Sequence, residues 1–373
     1  MKKLCIFNYP QYLAIISITV IVIMLIGFVI PNYISHYVFA VTKPVPAYEI
    51  TTRNILDKAW ESVNGSGYGN KYPLLDPKNL SKTCPEEVVI VVHGWSLNED
   101  KAQERFDRVK LSLENNTYNN ISLVGFSWAS DSPWVAAKFV AKENGPKLAD
   151  FISGLMNACK SQPNKEMDIH LIGHSLGARV ILSALDSLDK NISWESNGFN
   201  LSSVHIMGAA VDDEEVSMNP QDIVSDQTNW GTAKADYGRA IEDNVDRFYN
   251  LFNAEDKVLA PNPANPFSPY QIYPSFEGDL ALGQNGSQLF PPISLPSNYV
   301  DVNVTKEIPF NSNADGDQYC DDLRLLSLNP AVWSCAITKA GDSHYGYFGF
   351  RLNESEIIDD GVVNIIVNNW NSE

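Results

Sequence analysis

The stretch that most constrains the fold is the apolar run Ile169–Ala178 (IHLIGHSLGA), which ends in the pattern G-x-S-x-G and leads into a helix-forming segment. This pattern forms a nucleophile elbow when it lies on a sharp turn between a strand and a helix. Glycine at Gly173 and Gly177 lets the strand and the helix approach without clashes between Cβ atoms. The pattern therefore predicts that Ser175 lies on a strained turn at the carboxyl edge of a sheet, available as a nucleophile.

The start of the following helix would support such a serine. The backbone N–H of Leu176 can face a developing oxyanion there, and the helix dipole adds to its stabilisation. The alternative is an ordinary Gly/Ser turn, because G-x-S-x-G also arises by chance, but the strand and helix on either side favour the elbow. We expect His174 to pack or hydrogen-bond beneath the turn rather than to react.

Composition favours one large folded domain that does not bind nucleic acid. The chain has 373 residues, of which 44% are hydrophobic, and this is enough for one large core with or without an insertion. Asp and Glu outnumber Lys and Arg by 45 to 27, which gives a net charge of −18. A surface of this charge repels phosphate backbones.

The N-terminal residues predict a membrane segment. Residues 4–42 carry no charged side chain, and Leu13–Ile30 is almost wholly apolar over 18 residues, which is just enough to cross a hydrocarbon core of ~30 Å. Lys2 and Lys3 precede this run, which favours an inside N-terminus and an extracytoplasmic protein. We predict that residues 1–42 are an uncleaved transmembrane anchor. A cleaved signal peptide ending at Val38–Ala40, which would give a secreted protein, is the alternative.

Sequons and cysteines are consistent with an oxidising, extracytoplasmic location. Nine N-x-S/T sequons predict a glycoprotein; they lie at Asn64, Asn79, Asn115, Asn120, Asn191, Asn200, Asn285, Asn303 and Asn353. Beyond Cys5, the four cysteines allow three pairings. We predict Cys84 with Cys159, since both precede parallel strands and fall at the amino edge of the sheet, and Cys320 with Cys335. Free buried thiols are the alternative.

Strands that alternate with helices predict an α/β fold with a mostly parallel sheet. Residues 43–83 are expected to be a loop that leads into the core, and residues 84–373 the folded domain. Five buried strands are predicted, at Glu87–Trp95, Ile121–Trp128, the elbow strand, Val204–Ala210 and Arg247–Phe252. Helices are predicted at Asn98–Leu113, at Trp134–Ala158 with a break near Gly145-Pro146, at Leu176–Leu188 and at Gly361–Trp370, and an edge strand at Tyr299–Val304.

Unusual residues collect where these strands end. His93-Gly94-Trp95, Ser175, Asp212-Asp213 and Asn253–Asp256 each follow a predicted strand. The carboxyl ends of parallel strands meet at one edge, which is where ligands bind in such sheets. One edge is therefore expected to carry the chemistry.

Four features follow one another along the chain: a strand that ends in His-Gly, the pattern Gly-His-Ser-Leu-Gly, an acid after a later strand, and a late histidine. In this order they resemble the α/β-hydrolase superfamily, on its lipase and esterase side. The resemblance covers roughly residues 84–370, and the elbow is its most specific part. The order Ser, Asp, His along the chain is the one that the family uses. It implies an α/β-hydrolase fold in which helices flank a mostly parallel sheet.

The resemblance also implies roles for individual residues. Ser175 matches the nucleophile, and the backbone N–H groups of Trp95 and Leu176 match the oxyanion donors. His344 matches the base, because the other five histidines lie in strands, in the elbow, in the predicted oxyanion loop His93–Trp95 or beside the membrane segment. A loop histidine without a catalytic role is the alternative for His344.

Two positions could supply the acid that orients the histidine. Asp256 follows the fifth strand, where the family normally places this residue, and we favour it. Asp212 or Asp213 follows the fourth strand, a position that some lipases use. All three remain candidates from the sequence.

Two insertions are predicted between the later elements. Residues 211–246 match the position of a lid, and their moderate hydrophobicity favours soluble or short-chain esters over a lipid surface. The insertion at 310–341 contains a stretch similar to an EF-hand loop, with oxygen ligands at Asn311, Asn313, Asp315, Asp317 and Asp322. We hypothesise that it binds a weak structural calcium ion; a merely acidic turn is the alternative.

Together these features predict a membrane-anchored esterase or lipase that cleaves small-molecule carboxylic esters through an acyl-enzyme. The chemistry requires no cofactor. The same triad would also serve an acyltransferase, a thioesterase or a peptidase, because the pocket decides the reaction. A surface-displayed binding protein that keeps the fold without turnover is the alternative outside enzymes.

Overall fold

The computed structural model describes residues 45–53, 61–62, 77–116, 118, 120–160, 162, 167–218, 236–256, 258–259, 280–287, 294–308, 340–353, 356–359 and 361–371. The predicted anchor at 1–42, the calcium loop at 311–322 and the Cys320–Cys335 pair lie outside these residues. Within the described ranges, no helix combines the length and the hydrophobicity needed to span a membrane.

Eight strands form one sheet with the order β2-β1-β4-β3-β5-β6-β7-β8. These strands are β1 (Ala47–Thr51), β2 (Glu61–Ser62), β3 (Glu87–Val92), β4 (Ser122–Ser127), β5 (Asp168–His174), β6 (Leu201–Met207), β7 (Val245–Phe252) and β8 (Tyr299–Asn303). Only β2 is antiparallel to its neighbour. A separate hairpin joins β9 (Phe350–Asn353) to β10 (Glu356–Asp359). The predicted parallel sheet is thus confirmed.

Helices cover both faces of this sheet. They are α1 (Leu80–Thr83), α2 (Glu99–Asn115), α3 (Trp134–Lys160), α4 (Gly177–Asp189), α5 (Ile192–Asn197), α6 (Gly238–Asn244), α7 (Leu282–Asn285), α8 (Ala340–Tyr345) and α9 (Val363–Asn371). On one face, residues of α3 and α4 pack against the sheet. On the other face, residues of α2 and α9 do so. Because both faces are covered, β3, β4 and β5 are near-continuous runs of buried residues.

The prediction of a loop over residues 43–83 is wrong for its first part. Ala47–Thr51 forms β1, which pairs in parallel with β4 and is almost completely buried. The run has only five residues and follows a Pro-containing spacer, so its own sequence gives a weak strand signal. Pairing with the hydrophobic strand β4 stabilises it as a strand instead.

The prediction of a helix break near Gly145-Pro146 is also wrong. Helix α3 runs through Pro146 without interruption. Proline cannot donate to the carbonyl four residues earlier, and here the hydroxyl of Ser183 donates to that carbonyl, Lys142 O, at 2.8 Å. A Cβ at Gly145 would lie 2.4 Å from Ser183 Cβ, so glycine is what allows α4 to pack this closely. Tertiary contact with α4 thus replaces the hydrogen bond that proline removes.

The Cys84–Cys159 disulfide is present as predicted. Its two Cα atoms are 5.5 Å apart, and both side chains are buried. Cys84 follows α1 shortly before β3, and Cys159 lies in the last turn of α3. The bond therefore joins two segments at the amino edge of the sheet, opposite the elbow.

Candidate active site

Ser175 lies on a strained turn between β5 and α4. Its φ is 53°, a left-handed conformation that is uncommon for a residue with a Cβ. The Ser175 N–H donates to Met207 O at 2.9 Å, and the Ala210 N–H donates to Ser175 O at 3.1 Å. A Cβ at Gly177 would lie 2.5 Å from Val92 O, which only glycine avoids. The turn has the geometry of the predicted nucleophile elbow.

His344 lies in α8, almost fully buried, with Asp256 as its partner. The His344 Nδ1 and Asp256 Oδ2 atoms are 2.6 Å apart. The other carboxylate oxygen of Asp256 accepts the N–H groups of Val258 and Leu259 at 2.9 and 3.1 Å. These bonds fix the carboxylate so that Oδ2 meets the imidazole.

The two alternative acids lie elsewhere on the same edge. Asp212 forms an isolated bridge with Ala281, and a carboxylate oxygen of Asp213 accepts the side-chain amide of Asn285 at 3.3 Å. The geometry therefore favours Asp256, which follows β7, over both of them as the partner of His344.

Two hydrogen bonds hold the backbone around His344. His174 Nε2 donates to His344 O at 2.8 Å, and the Asn253 side-chain amide donates to Ser343 O at 2.7 Å. Burial is the main cause that holds the pKa of His174 well below its usual range, and the neighbouring His344 is the second. The ring of His174 is therefore neutral. His174 thus hydrogen-bonds beneath the elbow, in agreement with the prediction, and ties the elbow to the histidine segment.

The elbow and the His344 ring meet around Gly208. Met207, which precedes this glycine, and Ala210, two residues after it, hydrogen-bond to the backbone of Ser175. A Cβ at Gly208 would lie 3.4 Å from His344 Cε1. Although both residues lie in the described part of the chain, no hydrogen bond joins the Ser175 hydroxyl to the His344 ring. Such bonds often form only when substrate binds.

The predicted oxyanion donors border the elbow. A Cβ at Gly94 would lie 2.9 Å from Ser175 Cβ, so the loop after β3 passes directly beside the serine. Over the described residues, the backbone N–H groups of Trp95 and Leu176 donate to no protein acceptor. Two unused donors next to a serine are what stabilisation of an oxyanion requires.

His93 and Arg53 shape this oxyanion loop, and Arg53 was not predicted. His93 Nδ1 donates to Gly94 O at 2.9 Å, and its Nε2 accepts the Trp128 N–H at 3.1 Å. Arg53 Nη2 lies 3.2 Å from His93 Nε2 and donates to Leu97 O at 2.9 Å. Burial is the main cause that lowers the pKa of His93 to about 3, and the positive charge of Arg53 is the second. This ring is therefore also neutral. No motif marks Arg53, because it follows β1, the strand that sequence analysis missed.

Two further histidines lie away from the elbow. His170 Nε2 is 3.1 Å from a carboxylate oxygen of Glu87, and the His205 ring stacks on Tyr249. His170 borders a cavity of about 470 Å³ at the amino edge of the sheet. Neither histidine contacts Ser175, which agrees with their exclusion as the base.

The predicted lid and metal site are described in part or not at all. Residues 219–235 of the lid-like segment, and the calcium ligands Asn311, Asn313, Asp315, Asp317 and Asp322, lie outside the described residues. At the start of the segment, Glu215 forms a fully buried, bidentate pair with Arg179 of α4. The described ranges contain no group of three or more His, Cys, Asp or Glu side chains that could hold a metal ion.

Comparison with known proteins matches part of the chain to a family of hydrolases. A family model described as alpha/beta hydrolase of unknown function (DUF900) matches residues 77–240. The solved structure of a "putative cell surface hydrolase" from Lactobacillus plantarum WCFS1 aligns with 68% of this chain and 98% of its own, at 13% identity and a TM-score of 0.35. No curated protein matches. The family match includes the loop after β3 and the elbow, and together with the parallel sheet it supports the resemblance to α/β hydrolases.

Proposed function

We propose that this protein is a serine hydrolase that cleaves carboxylic esters through an acyl-enzyme, with Ser175, His344 and Asp256 as its triad. The observation that carries the proposal is the 2.6 Å contact between His344 Nδ1 and Asp256 Oδ2, at the edge where Ser175 sits on its elbow. A buried carboxylate in this position keeps the Nδ1 proton in place, so that Nε2 can accept a proton.

The reaction follows from these groups. Ser175 Oγ attacks the ester carbonyl carbon while His344 Nε2 takes its proton, and Asp256 stabilises the imidazolium. The carbonyl oxygen becomes an oxyanion, which the Trp95 and Leu176 N–H groups would bind. Collapse breaks the bond to the alcohol, which receives the proton from His344. Water, deprotonated by His344, then attacks the acyl-enzyme and releases the carboxylic acid and the free serine.

Kinetics of a serine variant test this proposal. With p-nitrophenyl acetate and butyrate, Ser175→Ala should lower kcat by at least roughly 10³-fold, because the nucleophile is lost while the fold is kept. Ser196→Ala, which also removes a hydroxyl but at an exposed position in α5, is the matched control and should retain activity. Unchanged turnover in Ser175→Ala would refute the assignment.

The cellular setting is part of the proposal. We propose an extracytoplasmic, membrane-anchored and glycosylated enzyme that acts on small-molecule esters. The buried Cys84–Cys159 bond supports an oxidising compartment. Alkaline carbonate extraction of membranes would test the anchor: an anchored protein stays in the pellet, whereas a secreted or peripheral one is released.

A further inference from the structure

Arg105 of α2 is a nine-tenths buried cation without an anionic partner. Its exposed fraction is 7%, and among the described residues its guanidinium forms no ion pair and no hydrogen bond. Its Nε is inaccessible to solvent, whereas its terminal nitrogens are not. By contrast, Arg108 on the same helix has Glu104 as its partner at 4.0 Å. Because arginine is rarely buried unpaired, the missing anion requires an explanation.

The guanidinium lies beside the histidine segment of the proposed active site. Arg105 Cζ is 4.9 Å from the centre of the Tyr345 ring and 5.9 Å from that of Phe348. Tyr345 directly follows His344, and the centres of their rings are 5.4 Å apart. One aromatic ring therefore separates the unpaired cation from the proposed base.

Stacking explains how the charge is tolerated but not why it is there. A cation over an aromatic face gains from about 0.5 to 2 kcal/mol, depending on its desolvation. The ring face leaves the N–H donors of the guanidinium without acceptors. A carboxylate would satisfy two of these donors at once, because the planar fork of arginine matches its two oxygens.

We propose that Arg105 is a specificity-determining residue that binds a carboxylate carried by the substrate. This inference rests on the proposed function and narrows the substrate class to esters with an anionic group on the acyl or alcohol part. With a net charge of −18, the molecule as a whole repels anions. An anionic substrate would therefore need a local cation, and Arg105 provides one beside the histidine segment.

Two esters with the same acyl length test the proposal in the full chain. p-Nitrophenyl hemisuccinate carries a terminal carboxylate, and p-nitrophenyl butyrate carries a methyl group in its place. Arg105→Gln should lower kcat/KM for the hemisuccinate roughly 10- to 100-fold, as expected for the loss of a charge-assisted bond. It should change the value for the butyrate by less than about 3-fold. Arg108→Gln, the matched control, should leave the ratio of the two values unchanged.

The outcomes separate this inference from the proposed function. An equal loss of kcat/KM on both esters would assign Arg105 to positioning of the Tyr345 segment. No change in either value would mean that Arg105 has no role in substrate selection. Either result overturns the inference, while the proposed ester hydrolysis stands. If the wild-type chain cleaves neither ester, the proposed function fails and this inference fails with it.

Inhibition of the wild-type protein provides a second measurement that needs no folded variant. Succinate should inhibit hydrolysis of the butyrate ester competitively, whereas neutral succinamide should not. Equal inhibition by inorganic phosphate would indicate a site for free anions and would overturn the claim of a substrate carboxylate.

Discussion

Among single residues, the identity of the aspartate that orients His344 is the assignment that a substitution can test most readily. Asp256 and Asp213 are both buried at the same edge, but only Asp256 contacts His344. Asp256→Asn should lower kcat by roughly 10²- to 10⁴-fold, because the amide favours the wrong tautomer of the imidazole. Asp213→Asn is the matched control, measured with the same ester. A larger loss in the control would move the acid to the loop after β6.

Arg53 is expected to support catalysis through the loop after β3. It bridges His93 and Leu97 in the oxyanion loop, so its loss should loosen the Trp95 donor. Arg53→Gln should reduce kcat roughly 10-fold with little change in KM, since the donor acts mainly in the transition state. Arg239→Gln, which changes an exposed arginine on α6, should leave both constants unchanged. A pure KM effect would place Arg53 in substrate binding instead.

Glu49 makes the stability depend on pH. This β1 residue is fully buried, and both of its carboxylate oxygens lack a hydrogen-bond partner among the described residues. Burial is the main cause that raises the pKa of Glu49 to about 8, and the negative charge of Glu99 is the second. The unfolded chain ionises near the ordinary value of 4.5 whereas the folded chain stays protonated, so stability falls as the pH rises from about 4.5 to about 8.

Denaturant unfolding of Glu49→Gln tests this dependence. The variant should lose a slope of up to about 1.4 kcal/mol per pH unit across that interval, because glutamine does not titrate. Glu104→Gln, which removes a half-exposed carboxylate on α2, should keep the slope of the wild type. Parallel curves for wild type and Glu49→Gln would contradict the raised pKa.

At the scale of elements, the elbow depends on how closely α4 approaches β3. Gly177→Ala places a methyl group 2.5 Å from Val92 O and should destabilise the fold by roughly 2 kcal/mol or more. Gly154→Ala lies in α3 with nothing within 4 Å of the new Cβ, and should stabilise the helix by roughly 0.5 to 1 kcal/mol. Thermal unfolding of both variants compares them directly. Equal stability would mean that the elbow is not tightly packed.

The strands that the sequence predicts correctly are those whose signal is local to one segment. Strands β3 to β7 were predictable because their runs of apolar residues are long. The elbow was predictable because glycines on both sides of a serine allow a strand and a helix to approach closely. β1 was not predictable, since only its pairing with β4 makes it a strand. The break at Pro146 was predicted wrongly, since the hydroxyl that accommodates the proline comes from α4. Sequence spacing carries no information about such distant partners.

The same limit applies to the site. The candidate nucleophile Ser175 came from its motif, the candidate donors Trp95 and Leu176 from the family resemblance, and His344 from elimination among six histidines. The choice among Asp256, Asp212 and Asp213 needed coordinates, because all three follow strands that end at one edge. Arg53 and Arg105 belong to no motif; their positions beside the loops of the site exist only in the folded chain.

At the scale of the whole molecule, the disulfide closes a large loop. Cys84 and Cys159 are separated by 75 residues, and the bond restricts the unfolded chain more than the folded one. A Cys84→Ser/Cys159→Ser double variant should lose roughly 2 to 5 kcal/mol of unfolding free energy. The reduced wild type should match the double variant. A loss below 1 kcal/mol would show that the sheet is stable without the bond.

The assignment of Ser175 as the nucleophile is best tested by a fluorophosphonate probe, whose site of attachment is located by mass spectrometry of the labelled chain. An activated serine displaces fluoride and forms a stable phosphonate ester, whereas an ordinary serine does not react. If Ser175 is the nucleophile and His344 its base, one adduct should form on Ser175, be lost in Ser175→Ala and form much more slowly in His344→Ala. A folded protein that carries no adduct, or an adduct at another serine, would contradict this assignment.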